Sequence, residues 1–271
     1  MAPVRSEMSG SMSSSRWSDI YLRTASALVL GPLALYCLAR GGWAWDGLLG
    51  VAMFGLGHEW GSLSKLEQPF WLAGVLGLIW AVAAKFGFMA GSVAIIAATG
   101  LVWWRFGRFA GLGVPYAGLG GIALLWLRLR PEVGLLDVGY LVFIIWGTDI
   151  GAYLTGRLMG GPKLAPSISP GKTWSGALGG TLSAALVGSM LAAMAGQFGF
   201  GALSCGVLLS VLAQAGDLME SAIKRRLGVK DSGRTIPGHG GLFDRLDGFL
   251  TTAPVAVLLA YIAAEGVPLW R

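Results

Sequence analysis

The chain has 271 residues, 55% of them hydrophobic and only 13% charged, with 20 Lys and Arg against 14 Asp and Glu. A mean hydropathy of +0.67 excludes an ordinary water-soluble domain, because apolar runs recur at lengths near the roughly 20 residues a helix needs to cross a bilayer. The net charge of +6 is distributed over the segments between those runs, which favours an anionic membrane face or small anions over nucleic acid.

In chain order, the Ser-rich start "MAPVRSEMSGSMSSSRWSD" reads as a disordered tail over 1–19. Nine apolar spans follow, at 21–39, 43–60, 70–84, 87–104, 112–127, 135–155, 174–196, 200–221 and 249–266. The first is too long for a signal-peptide core and lacks a cleavage site, so it is expected to be retained. The third and fifth are short, and one of them is open to a re-entrant reading. The expected fold is all-α: a polytopic integral membrane helical bundle of about nine transmembrane helices. It divides into N-terminal helices over 20–133 and a C-terminal catalytic region over 134–271. The 44 glycines suit close helix packing in lipid. The run "GLGVPYAGLGG" at 111–121 has no preceding strand and so reads as packing rather than a dinucleotide loop. Cys37 and Cys205 fall within apolar spans and are expected to stay reduced, with a packing role. His58 and Lys65, at the end of the second span, read as interfacial, and the twelve tryptophans fit interfacial belts.

With nine spans, 15 of the 20 basic residues fall on one side and 5 on the other, and the richer side is expected in the cytoplasm. The two longest and most basic segments, 156–173 and 222–248, emerge there together. Acidic residues inside spans are costly and usually face a polar cavity. Asp149 lies in the sixth span. Asp217, Glu220, Ser221 and Lys224 follow i, i+3, i+4, i+7 at the end of the eighth, forming one polar stripe. Asp244 and Asp247 stand before the ninth. Carboxylates converging on one membrane surface repel one another, and a hard divalent cation held by oxygen ligands resolves the conflict.

The segment "GGPKLAPSISPGKTWSG" at 160–176 contains "GKT", but the glycine a P-loop requires five positions earlier is Pro166, and no strand precedes it. What remains is a Ser, Thr and Lys-rich loop leading into a helix N-terminus, a favourable place for phosphate.

The stretch "SAIKRRLGVKDSGRTIPGHGGLFDRLD", Ser221 to Asp247, resembles the signature of the phosphatidate cytidylyltransferases, or CDP-diacylglycerol synthases. "QAGDLMES", "DIGAYLTGR" and "SPGKTWSG" are similar to other pieces of that family, so the resemblance spans about residues 143–248. Two positions depart from it: Gly171 where the family commonly has Lys, and Ser175 where it has Glu. The resemblance implies transfer of the cytidylyl group of CTP to phosphatidic acid, giving CDP-diacylglycerol and pyrophosphate, by an enzyme of the cell membrane with its site on the cytoplasmic side. It implies Mg²⁺, with room for a second cation, and a homodimer. Asp217 and Asp244 are then the expected principal metal ligands, with Asp149, Asp247 and Glu220 as further ligands or their supports. Lys224, Arg225, Lys230 and Arg245 would neutralise the triphosphate or the lipid phosphate. Ser167, Ser169, Lys172, Thr173, Ser221, Asp231, His239, Gly240 and Gly241 would contact substrate. His239, set among glycines, is expected to shape the loop or bond a phosphate rather than act as a base. Two alternatives stay open on the residues alone: a CTP-dependent lipid kinase of the polyprenol type, and an ion-coupled transporter.

Overall fold

The computed structural model describes residues 26, 28–233, 235–236 and 240–271. The tail expected at 1–19 and His239 lie outside the described residues. The helices are α1 (Leu28–Arg40), α2 (Gly42–Leu63), α3 (Phe70–Phe86), α4 (Phe88–Phe106), α5 (Arg108–Leu129), α6 (Gly134–Met159), α7 (Trp174–Met194), α8 (Phe200–Arg226) and α9 (Phe243–Ile262). Six of them, α4 to α9, are long and apolar enough to cross a membrane, whereas α1 and α3 are shorter. Large apolar side chains such as Leu78, Ile96, Leu186 and Ile262 point outward on these helices. A surface so apolar belongs against lipid. The protein is an integral membrane protein.

The two short apolar spans fall on α3 and α5. Each belongs to one continuous helix, and α5 is the most enclosed of the long ones. Its apolar run looked short because glycines, Pro115 and Tyr116 dilute it. Those glycines are packing positions, as read from the sequence: a Cβ on Gly120 would come within 2.7 Å of the Leu250 side chain. Single glycines join α3 to α4 and α4 to α5. Gly87 (φ 88°, ψ 177°) and Gly107 (φ 91°, ψ 172°) hold a backbone region that is essentially closed to other residues.

Two boundaries differ from expectation at the charged end. Helix α8 continues to Arg226 and α9 begins at Phe243, so the intervening loop shrinks to 227–242. The helices outrun their apolar segments where Lys224 on α8 pairs with Asp244 on α9, which offsets the penalty that hydropathy assigns them. Segment 160–176 is also more ordered than a loop. β1 (Lys163–Ala165) and β2 (Ser169–Thr173) form an antiparallel hairpin with Lys163 opposite Thr173. A strand does therefore precede "GKT", but as one arm of a hairpin whose other arm contains Gly171, Lys172 and Thr173.

At the opposite end, Arg130 forms a buried ion pair with Asp137 and donates to the carbonyls of Ala260, Ala264 and Val267. Asp137 accepts from Leu269 N at 2.9 Å. This network folds the last residues back under the bundle, so the final helix stops at Ile262 rather than 266.

Candidate active site

The charged end is organised by how closely α8 and α9 approach. A Cβ on Gly216 would sit 2.9 Å from the Asp247 carbonyl oxygen, and one on Gly248 would meet Ala213 at 3.6 Å. Small residues at a crossing let two backbones come together where lipid offers no hydrophobic drive. The crossing lies beside Asp217 on α8 and at Asp247 on α9, with Glu220 one turn further along. Ligand atoms of Asp217, Glu220 and Asp247 fall within 4.8 Å of one another. The structure therefore gathers these three acids, and leaves Asp244 and Asp149 outside the group.

Asp244 is otherwise engaged. Its Oδ1 receives the ammonium of Lys224, and its Oδ2 accepts from Ser232 N at 3.0 Å, Ser232 Oγ at 3.0 Å and Gly241 N at 2.8 Å. An acid in the first turn that takes an N–H from just before its own helix behaves as a cap. Asp244, expected as a principal metal ligand, is held here by Lys224 and by the backbone N–H groups of Ser232 and Gly241. The i, i+3 spacing of Asp244 and Asp247 let both face α8, but they meet different partners there. Lys224 bridges the two sets, since it also lies 3.2 Å from Glu220 Oε1. Apart from that ion pair, Glu220 Oε1 is buried without a hydrogen-bond partner. Lys172 Nζ pairs with Asp217 Oδ2, and Ser221 Oγ donates to Asp217 Oδ1 at 3.4 Å.

A cavity of about 530 Å³ opens beside this cluster, between α6, α7, α8 and the hairpin. Asp149, Tyr153, Arg157, Gly171, Lys172, Thr173, Gln214 and Asp217 are among the residues that line it. Asp149 is within electrostatic reach of Asp217, Lys172 and Arg245. Arg157 Nη1 donates to Tyr153 Oη at 2.8 Å. Deeper in, Gln214 donates to Thr181 Oγ1 and Thr148 donates to Ser210 Oγ, so the polar groups facing the helix interior are satisfied.

Of the hairpin residues expected at substrate, Lys172 and Thr173 reach the cavity wall. Ser167 and Ser169 sit toward the hairpin turn and are not among its lining residues. Thr173 Oγ1 accepts from Gly176 N at 3.1 Å, capping α7. Arg225 and Lys230 are exposed at the end of α8 and in the loop after it, and Arg225 donates to the Ile168 carbonyl at 3.2 Å, tying α8 to the hairpin. Asp231 is exposed in the 227–242 loop. Gly240 has a φ of 83°, which a side chain would strain.

Glu59 is absent from the residues expected at the site. This α2 residue is 2% exposed. It accepts from Leu242 N at 2.6 Å, Phe243 N at 3.0 Å and Ser232 Oγ at 3.0 Å, and also from Thr235 Oγ1. A Cβ on Gly241 would lie 2.6 Å from Glu59 Oε2. The close approach this glycine permits is thus to Ser232, whose Oγ would lie 1.9 Å from that Cβ, and to Glu59. The available signal was an acid in an apolar span, the same one that picked out Asp149; its position beside His58 at a span end made it look interfacial.

Comparison with known proteins points the same way. Residues 21–263 match the model of the cytidylyltransferase family. The chain is 37% identical to a phosphatidate cytidylyltransferase of Brucella suis, over 92% of this chain and 96% of the relative. It is also 37% identical to one of Pseudomonas aeruginosa, over 91% and 98%. A third, from Staphylococcus aureus, is 42% identical over 56% of this chain and 58% of its own length.

Proposed function

The chain belongs to the cytidylyltransferase family, and on that premise we propose how its carboxylate cluster works. The enzyme transfers the cytidylyl group of CTP to phosphatidic acid, yielding CDP-diacylglycerol and pyrophosphate in phospholipid synthesis. An oxygen of the phosphatidate monoester attacks the α-phosphorus of CTP, and the bond from that phosphorus to the bridging oxygen of pyrophosphate breaks. With a second pKa of about 6 the monoester is already largely ionised at neutral pH, so no general base is required. The chain's task is positioning and charge compensation.

Asp217, Glu220 and Asp247 would hold a Mg²⁺ ion, and the observation that carries this assignment is their convergence within 4.8 Å. The donor set fits: all are hard oxygens, and the buried Glu220 Oε1 has only the Lys224 ammonium, 3.2 Å away, against it. Charge supports it too: Asp149, Asp217, Glu220, Asp244 and Asp247 outnumber Lys172 and Lys224, the ammonium groups paired with them, and a divalent cation would offset the excess. When bound, the ion would offset negative charge on the reacting phosphates. Lys172 pairs with Asp217 and lines the cavity, so it can turn to a phosphate once Asp217 is otherwise occupied. Arg157 lines the same cavity, while Arg225, Lys230 and Arg245 lie on the loop and helix ends near the membrane surface, where a lipid headgroup arrives. We assign this end to the cytoplasm and, following the family expectation, the assembly to a homodimer, which light scattering of the detergent-solubilised protein would reveal or refute.

The product assay is direct. Purified protein with phosphatidate, Mg²⁺ and CTP labelled at the α-phosphate should place label in the lipid and release unlabelled pyrophosphate. Transfer of a γ-label to lipid with release of CDP would instead make the enzyme a kinase.

A further inference from the structure

We propose that Glu59 is a positioning residue for the reaction: from α2, it fixes where α9 begins and so holds Asp247 opposite Asp217 and Glu220. The inference concerns the same carboxylate cluster and rests on the reading that the cluster is catalytic. A helix starts with N–H groups that have no partner inside it. In α9 the residue at the cap position is Leu242, which has no side-chain acceptor. Glu59 supplies the acceptors from another helix. Its Oε1 takes Leu242 N and its Oε2 takes Phe243 N, at 2.6 and 3.0 Å. The same two oxygens receive the hydroxyls of Thr235 and Ser232, one each. One buried carboxylate thus gathers the 227–242 loop and the first turn of α9.

The coupling to the cluster is short. Ser232 joins Glu59 to Asp244, giving its hydroxyl to the first and its backbone N–H to the second; Asp244 binds Lys224, and Lys224 lies against Glu220. Asp247 follows one turn after the anchored start of α9. Hydrogen bonds to an ionised acceptor are among the stronger ones, and leaving buried donors unmet costs more than the bond is worth. Aromatic packing of Trp60 on Phe243 seats the anchored turn from the same stretch of α2.

Glu59→Gln tests this without changing size. Whichever way the amide turns, its NH₂ group faces either Leu242 N or Phe243 N, setting donor against donor. Three quantities are read in detergent: thermal midpoint, hydrogen–deuterium exchange of the 240–246 amides without ligands, and kcat and KM for CTP. The expected result is a folded protein whose Leu242 and Phe243 amides exchange about tenfold faster or more. Its kcat should fall about 10- to 100-fold, as for other residues that orient metal ligands, while KM for CTP stays near wild type. Wild-type exchange together with wild-type kcat in folded Glu59→Gln overturns the proposal. So does a loss of kcat with unchanged exchange, since Glu59 would then act otherwise than through α9. If Glu59→Gln does not fold, Thr235→Val removes one of the four donors found among the described residues and must show the same split at smaller amplitude; wild-type kcat there is equally fatal. A wild-type protein that makes no CDP-lipid would defeat the functional reading instead, while the exchange data would still judge the brace.

Discussion

Asp244 and Asp217 sit in the same signature region and do different things. The side chains of Asp244 and Lys224 are 10% and 11% exposed, whereas that of Asp217 is 39% exposed and opens to the cavity. Breaking a largely buried ion pair by neutralising one partner costs about 3–5 kcal/mol. Asp244→Asn should therefore lower the thermal midpoint sharply in a detergent melt, and Asp217→Asn should leave it near wild type. Equal midpoints would mean that Asp244 is not the structural member of the pair. From sequence alone both read as acids at helical spacing near a membrane surface. Their separate fates depend on Ser232 and Gly241, whose backbone N–H groups no spacing rule could aim at Asp244. Glu59 was hidden for a related reason: its partners lie more than 170 positions away in the chain.

At the level of elements, the α8–α9 crossing decides whether the three acids meet. Gly216 is the residue that permits it, with Thr251 and the Asp247 carbonyl oxygen crowding the place a Cβ would take. In Gly216→Val the added methyls would push α9 away, at an overpacking cost of about 1–3 kcal/mol. The expected outcome is a measurable drop in thermal midpoint with CDP-lipid formation reduced by more than the loss of folded protein explains. Proportionate loss of both would show that the crossing does not set the cluster's geometry. Most helices were legible as apolar runs, and α6 and α7 lie close to their expected limits. The ends of α8 and α9 were not, since hydropathy treats Lys224 and Asp244 as interruptions when they neutralise each other. The hairpin at 163–173 was missed because Pro166, Pro170 and Gly171 read as a loop; its strands are only three and five residues long.

For the whole molecule, sorting of charge and sorting of chemistry coincide. The 160–173 and 227–242 segments share one end with the carboxylate cluster, while Arg40, Lys85, Arg128, Arg130 and Arg271 occupy the other. That division was readable from alternation of spans. Ser167→Cys, on the exposed hairpin turn, should react with an impermeant maleimide in inside-out vesicles and be protected in intact cells; the reverse pattern would invert the topology. The native cysteines, Cys37 and Cys205, are buried and should contribute little background. The central claim is that Asp217, Glu220 and Asp247 together hold the cation on which cytidylyl transfer depends. Binding of Mn²⁺, followed by electron paramagnetic resonance on purified protein without substrates, tests it most directly. Asp217→Asn, Glu220→Gln and Asp247→Asn should each lose most of the binding that the wild type and folded Asp244→Asn retain. Wild-type Mn²⁺ affinity in all three of those variants, or its loss in Asp244→Asn alone, would contradict the assignment.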